Sequence, residues 1–112
     1  MQTIEQIERS LARNVRLIDR KIMSPYAVAH GALTDFMLND VATADAIRLC
    51  SGLPAGVTSE FRGIIAAVRQ RDYLARPTFI GGSLTMPDDE LQRRWRRIDE
   101  IISAWLEVET PK

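Results

Sequence analysis

Few side chains in this sequence could take part in nucleophilic or acid–base chemistry, since its 112 residues include one histidine and one cysteine. A nucleophilic serine or cysteine needs a base within hydrogen-bond reach, and His30 is the only imidazole that could serve as one. His30 falls within a predicted helix, where we expect an ordinary histidine at the edge of the core; a general base or a pH-sensitive contact is the alternative. Cys50 lies beside apolar residues, which predicts a buried, unreactive thiol.

Motifs that bind metals or phosphates are equally scarce. A zinc site takes about four Cys, His or carboxylate ligands at suitable spacing, which this sequence does not offer. The turn at 81–83 is the only glycine-rich loop, and it lacks the Lys-Ser/Thr pair of a phosphate-binding loop. The acidic run at 88–90 begins a predicted helix, where it complements the helix dipole. We therefore expect no enzyme, no metal and no cofactor; a small enzyme with an unfamiliar acid–base pair is the alternative.

Arginine shows the strongest pattern in the sequence, since 13 of the 15 basic residues are Arg. Four of them recur every three or four residues in the first predicted helix, two residues out of phase with its apolar positions. At about 100° per residue, the two sets lie on nearly opposite faces of the helix. We call this set the arginine stripe; its members are Arg9, Arg13, Arg16 and Arg20. Guanidinium groups pair bidentately with carboxylates or phosphates, so the stripe could recognise an acidic protein surface or a nucleic-acid backbone.

The simplest explanation of all these arginines is a solvated protein surface. A coding preference for Arg over Lys would raise their number without any function, and ion pairs along the fifth predicted helix would neutralise the arginines around Trp95. The pairs expected there are Asp89 with Arg93, Glu90 with Arg94 and Arg96 with Glu100. The arginine stripe has fewer acids nearby, so it is the better candidate for a binding site.

Apolar residues recur at spacings of three and four, which predicts α-helices and no strands. The first helix should run from about residue 4 to 22, beginning with a capping box between Thr3 and Gln6. The second should begin at Ser24-Pro25, because Ser caps helices and Pro is tolerated at the first helical position. It should end at 39–40.

The three later helices follow from caps and helix breakers. Thr43 should cap a short third helix, which Gly52 should end in a left-handed conformation. Thr58 should begin the fourth helix, which should stop at Arg76-Pro77. The fifth should begin within 85–88, where acidic residues favour the first turn.

These elements indicate an all-α fold with one domain over 1–108, an irregular bundle of about five helices, three long and two shorter. The tail at 109–112 should be disordered. A chain of 112 residues can bury one core without disulfides or metals. Trp95 and Trp105 should belong to that core, although the same apolar stripe could instead form the seam of a homodimer.

The charge balance and the cysteine content limit the class of partner and the compartment that we expect for the protein. The 15 basic and 15 acidic residues cancel, which argues against a polybasic nucleic-acid binder. The lone Cys50 favours a reducing compartment, and no apolar run suits a signal peptide or a membrane span. We therefore expect a cytoplasmic protein that does not associate with membranes.

The function expected from these observations is the binding of another protein that has an acidic surface, without catalysis, as an adaptor, inhibitor, antitoxin or immunity-type module. The arginine stripe would supply charge complementarity, and Phe79 and Ile80 would supply apolar contacts. The alternative is a nucleic-acid-associated regulator that contacts phosphates through the same stripe.

Overall fold

Five helices make up the computed structural model, which describes residues 2–71 and 87–109. In chain order they are α1 (Ile4–Asp19), α2 (Pro25–Leu38), α3 (Thr43–Ser51), α4 (Ala55–Arg71) and α5 (Asp88–Glu109). No strand occurs among the described residues, so the all-α prediction is confirmed. None of these helices is long and apolar enough to cross a membrane within the ranges described.

The first helix begins as predicted and ends earlier than predicted. The Thr3 hydroxyl accepts the Gln6 N–H at 3.1 Å and the Gln6 side chain accepts the Thr3 N–H at 2.9 Å, which confirms the capping box. The predicted end at residue 22 is wrong, because Lys21 adopts a left-handed backbone with φ 59°. The N–H of Ile22 then turns back to a carbonyl of the last turn of α1 at 2.9 Å, and its side chain is left 61% exposed.

The second helix is the centre of the bundle, since it packs against α1, α4 and α5. It begins as predicted, with the Ser24 hydroxyl accepting the Ala27 N–H at 3.1 Å and Pro25 in the first turn. Six of its side chains are buried: Val28, Ala29, Ala32, Leu33, Phe36 and Met37. The helix ends before Asn39, and Asp40 follows in a left-handed conformation with φ 47°.

The predicted signals at the ends of α3 and α4 need correction. The N-cap of α3 is Ala42, which makes no side-chain cap bond, so Thr43 is not the cap. Gly52 has φ −92°, so α3 ends without the expected left-handed glycine. α4 begins at Ala55, before Thr58, because the Pro54 carbonyl already accepts the Thr58 N–H at 3.1 Å. The predicted end at Arg76-Pro77 lies outside the described residues.

The fifth helix turns its apolar stripe into the core of the same chain. Trp95 is completely buried and Trp105 is 7% exposed, which confirms their core placement. The Trp105 ring meets Phe61 of α4 edge to face, with centroids 6.5 Å apart. Burying one such side chain contributes about 1.5–3 kcal/mol, so this stripe fixes α5 to the bundle. α5 includes Glu109, and residues 110–112, the rest of the expected tail, lie outside the described part of the chain.

Candidate partner-binding surface

Three arginines of α5 are used inside the domain, at the C-terminal end of α2. Arg97 donates to the Asp40 carboxylate at 2.8 Å, and Arg93 reaches the same carboxylate at 3.3 Å. Arg94 donates to the Leu38 carbonyl at 2.9 Å, one of the carbonyls that a helix end leaves without an intrahelical partner. The Asp40 carboxylate, which follows α2 in a left-handed turn, thus binds α5 to the C-terminal end of α2. We call these contacts of Arg93, Arg94 and Arg97 with Asp40 and the Leu38 carbonyl the α2–α5 latch.

Glu90 completes the α2–α5 latch from the α5 side. Its carboxylate accepts from Arg93 at 2.7 Å and from Arg94 at 2.8 Å, and these hydrogen bonds lower its pKa to about 2. The expected pair of Glu90 with Arg94 is therefore confirmed. The expected pair of Asp89 with Arg93 is wrong, because Arg93 binds Glu90 and Asp40, while the Asp89 side chain accepts the Glu90 N–H at 3.0 Å.

Two further arginines join helices to one another. Arg48 of α3 donates to Glu8 of α1 at 2.9 Å, and both side chains are about half exposed. Arg69 of α4 binds the carboxylate of Asp99 of α5, which is only 4% exposed. Each of these arginines has a structural explanation, since each neutralises a carboxylate of another helix.

The arginine stripe differs from all five of these arginines. Its four side chains are exposed, three on α1 and Arg20 directly after it, and within the described part of the chain none of them makes a hydrogen bond or an ion pair. They lie opposite the two residues that α1 buries, Ile7 and Leu11. A shallow depression of about 640 Å³ along this face is lined by Gln2, Gln6, Arg9, Ser10, Ala12, Arg13 and Arg16.

Repulsion within the arginine stripe makes this face costly for the isolated domain. Arg9 and Arg13 lie four residues apart on α1, and like charges at this spacing destabilise a helix by about 0.2–0.5 kcal/mol. An external anion would relieve this repulsion and satisfy the guanidinium donors. The stripe thus carries guanidinium donors that no described carboxylate of the chain satisfies.

The apolar contacts expected of Phe79 and Ile80 lie outside the described residues. The structure instead exposes two large apolar side chains where α1 turns into α2, Ile22 at 61% and Tyr26 at 44%. The sequence did not predict this exposure, because the predicted first helix included Ile22 on its buried apolar face. The signal available was Ser24-Pro25, which places a helix start too close behind residue 22 for that helix to continue.

The residues considered for catalysis lie at the edge of the core or within it. His30 is half buried on α2, with its ring 5.9 Å from that of Tyr26. Cys50 is completely buried, and burial raises its pKa to about 12, which makes the thiol a poor nucleophile. Among the described residues, no three His, Cys, Asp or Glu side chains are grouped closely enough to hold a metal ion.

An opening with a partly apolar wall lies between the end of α3 and the start of α4, beside Trp105. Its volume is about 460 Å³, and its wall also includes Leu53, Thr58 and Arg62. The Nε1 donor of Trp105 has no hydrogen-bond partner, yet that atom is itself shut off from solvent. A molecule in the opening would not reach this donor, so its polar contacts would be limited to wall residues such as Thr58 and Arg62.

The arginine stripe therefore provides the strongest chemical indication of function in the described part of the chain. It combines four exposed cationic side chains that make no ion pair with any described residue. Comparisons of the chain with protein-family models, with curated proteins and with solved structures found no match.

Proposed function

We propose that this domain is a non-catalytic protein-binding module of the adaptor, inhibitor, antitoxin or immunity type, and that its partner presents an acidic surface to the arginine stripe. The observation that carries the proposal is the contrast among the arginines. Arg48, Arg69, Arg93, Arg94 and Arg97 each hold a carboxylate of this chain, whereas the four exposed stripe arginines hold none within the described ranges.

Charge on the stripe would speed association and fix the orientation of the complex. Exposed charges of one sign attract a complementary surface over roughly 10 Å, the screening length at 0.1 M salt, and raise the association rate. Affinity would come from apolar and aromatic contacts that exclude water. Ile22 and Tyr26 suit that role, because they follow Arg20 closely along the chain and are exposed.

The experiment that tests this proposal is capture of the partner from native lysate with the tagged protein. Nuclease-treated and untreated samples are compared by mass spectrometry. The proposal predicts one stoichiometric acidic protein that survives nuclease treatment and is lost when Arg13 and Arg16 are both changed to Gln. The matched control changes Arg62 and Arg96, exposed arginines of α4 and α5, to Gln with the same loss of charge.

Recovery of nucleic acid would overturn the proposal. In that case the captured proteins disappear after nuclease treatment, and binding falls steeply with salt as the number of phosphate contacts dictates. The stripe would then contact a phosphate backbone, as a nucleic-acid-associated regulator requires. Equal capture by the Arg13/Arg16 variant and by wild type would remove the stripe from the binding site.

A further inference from the structure

An apolar groove runs between α1 and α3, next to the arginine stripe. Leu11 and Leu49 form its floor, since both are 6% exposed, and half-buried Val15 and Leu53 form its walls. Its volume is about 280 Å³. At its edge the Arg48–Glu8 ion pair joins the two helices. The groove exists because α1 packs mainly against α2 and leaves the side of its apolar stripe toward α3 partly covered.

Ala12 connects this groove to the arginine stripe. Ala12 lines both the groove and the depression that contains Arg9, Arg13 and Arg16. Because Arg16 lies one helical turn beyond Ala12, a side chain seated in the groove would have an unpaired guanidinium beside it. The combination of an apolar slot and an adjacent cationic rim requires an occupant that is apolar on one side and anionic on the other.

A helix matches this shape better than an extended strand. The described residues contain no strand, so they offer no sheet edge on which a peptide could add a strand. A slot between two helices suits an amphipathic helix that inserts apolar side chains at positions i, i+3 or i+4 and i+7. Such a helix carries its acidic residues along one side, toward the stripe.

We infer that the α1–α3 groove is the docking site for an acidic amphipathic helix of the partner. The apolar side chains of that helix would pack against Leu11, Val15 and Leu53, and its carboxylates would pair with the arginine stripe. This inference rests on the proposed function, since it specifies the segment by which the acidic partner binds. It adds the groove to Ile22 and Tyr26 as a source of apolar contacts and leaves charge selectivity to the stripe.

Gly52 allows the groove to be filled without distorting the fold. It lines the groove, its φ of −92° suits any residue, and a Cβ added there meets no atom within 4 Å. The Gly52→Leu variant therefore places an apolar side chain at the groove while the backbone stays unstrained. Gly63 provides the matched control, because a Cβ added there also meets nothing within 4 Å and Gly63 lies on α4 away from the groove.

The test uses a phage-displayed library of random 16-residue peptides selected on the full-length protein. We expect enriched peptides to combine apolar residues at helical spacing with several Asp or Glu residues. Their affinity should fall by about ten-fold or more on the Gly52→Leu variant, the loss of one apolar anchor, and should change less than about two-fold on Gly63→Leu. Thermal unfolding of both variants confirms that they are folded.

Each other outcome decides against the groove. Acidic peptides that bind Gly52→Leu as well as wild type, yet lose affinity for the Arg13→Gln/Arg16→Gln variant, overturn the groove and leave the stripe in place. Enriched peptides without acidic residues overturn the pairing of groove and stripe. A selection that yields no binder overturns the groove as a helix-docking site, whereas the proposed function stands or falls with the capture of an acidic protein from lysate.

Discussion

Arg69 and Asp99 join α4 to α5 through a carboxylate that the core almost completely encloses. The Arg69 Nε donates to Asp99 at 2.6 Å, a second donor of the same guanidinium also reaches the carboxylate, and Ser103 donates to it at 3.0 Å. Burial of a carboxylate is tolerated only when such partners replace its water. Arg62 and Arg69 lie seven residues apart in the sequence, a spacing that gives no indication of this partner.

Removal of Arg69 should therefore destabilise the domain. Arg69→Gln leaves the Asp99 charge buried with fewer donors, and we expect a loss of about 2 kcal/mol, below the usual cost of breaking a buried pair because the Arg69 side chain is 54% exposed. Urea unfolding followed by circular dichroism measures the loss. Gln70→Ala, at an exposed position of the same helix, is the control and should change stability by less than about 0.5 kcal/mol. Equal stability of Arg69→Gln and wild type would show that the ion pair contributes nothing.

Protonation of the Glu90 carboxylate at low pH should weaken the α2–α5 latch. Its pKa is about 2 in the folded domain against 4.5 ordinarily, so the folded state favours the ionised carboxylate. The resulting stability is present above about pH 4.5 and is lost as the pH falls toward 2. We expect Glu90→Gln to flatten the pH dependence of the urea midpoint between these values. A wild-type slope that Glu90→Gln leaves unchanged would assign the acid sensitivity to other groups.

Asp35 should contribute the opposite pH dependence. Burial raises the pKa of this carboxyl on α2 above 3.8, so the folded state binds its proton more tightly than the unfolded chain does. Its contribution is favourable below the unfolded pKa and is lost as the pH rises through the folded pKa. Asp35→Asn should remove this loss and stabilise the domain at neutral pH, as thermal unfolding at pH 7 would reveal. A lower melting temperature for Asp35→Asn would contradict this account.

The Cys50 thiol should resist modification until the protein unfolds. A pKa raised from 9.0 to about 12 lowers the thiolate fraction near neutral pH by about a thousandfold, and burial blocks access as well. Titration with a thiol-reactive chromogenic disulfide should detect no fast reaction in buffer and one thiol per chain in denaturant. Rapid labelling of the native protein would show that the α3 end opens readily.

Neutralising the stripe should leave the fold intact and relieve repulsion on α1. The Arg13→Gln/Arg16→Gln variant loses like-charge neighbours three and four residues away, so we expect stability equal to wild type or a few tenths of a kcal/mol higher. Thermal unfolding at low and high salt checks this, since salt screens the repulsion and should reduce the difference. A markedly lower melting temperature would mean that these arginines hold the domain together.

Helix identity was predictable from the sequence, whereas helix ends and side-chain partners were less so. The capping box at Thr3 and the Ser24-Pro25 start depend on residues adjacent in sequence, and both were predicted correctly. The end of α1 depends on a left-handed Lys21, a conformation that this residue type does not signal. The α2–α5 latch joins Asp40 to Arg97 across 57 residues of chain, which no local pattern encodes.

The arginine stripe was predictable because its periodicity is local, but its lack of partners was not. A helical wheel separates Arg13 from the apolar residues of α1 without any tertiary information. Only the fold shows that Arg93 and Arg97 of α5 are occupied by Asp40, while the stripe has no such carboxylate among the described residues. The α1–α3 groove likewise required the fold, since Val15 and Leu53 are far apart in sequence.

Binding of an acidic protein by the stripe can be measured by calorimetric titration with the captured partner. Wild type, the Arg13→Gln/Arg16→Gln variant and the Arg62→Gln/Arg96→Gln variant are compared at equal salt. We expect affinity to fall roughly ten-fold or more for the stripe variant and to stay within about two-fold of wild type for the control, which has the same net charge. Equal losses in both variants would attribute binding to net charge alone, and no loss in the stripe variant would contradict the claim.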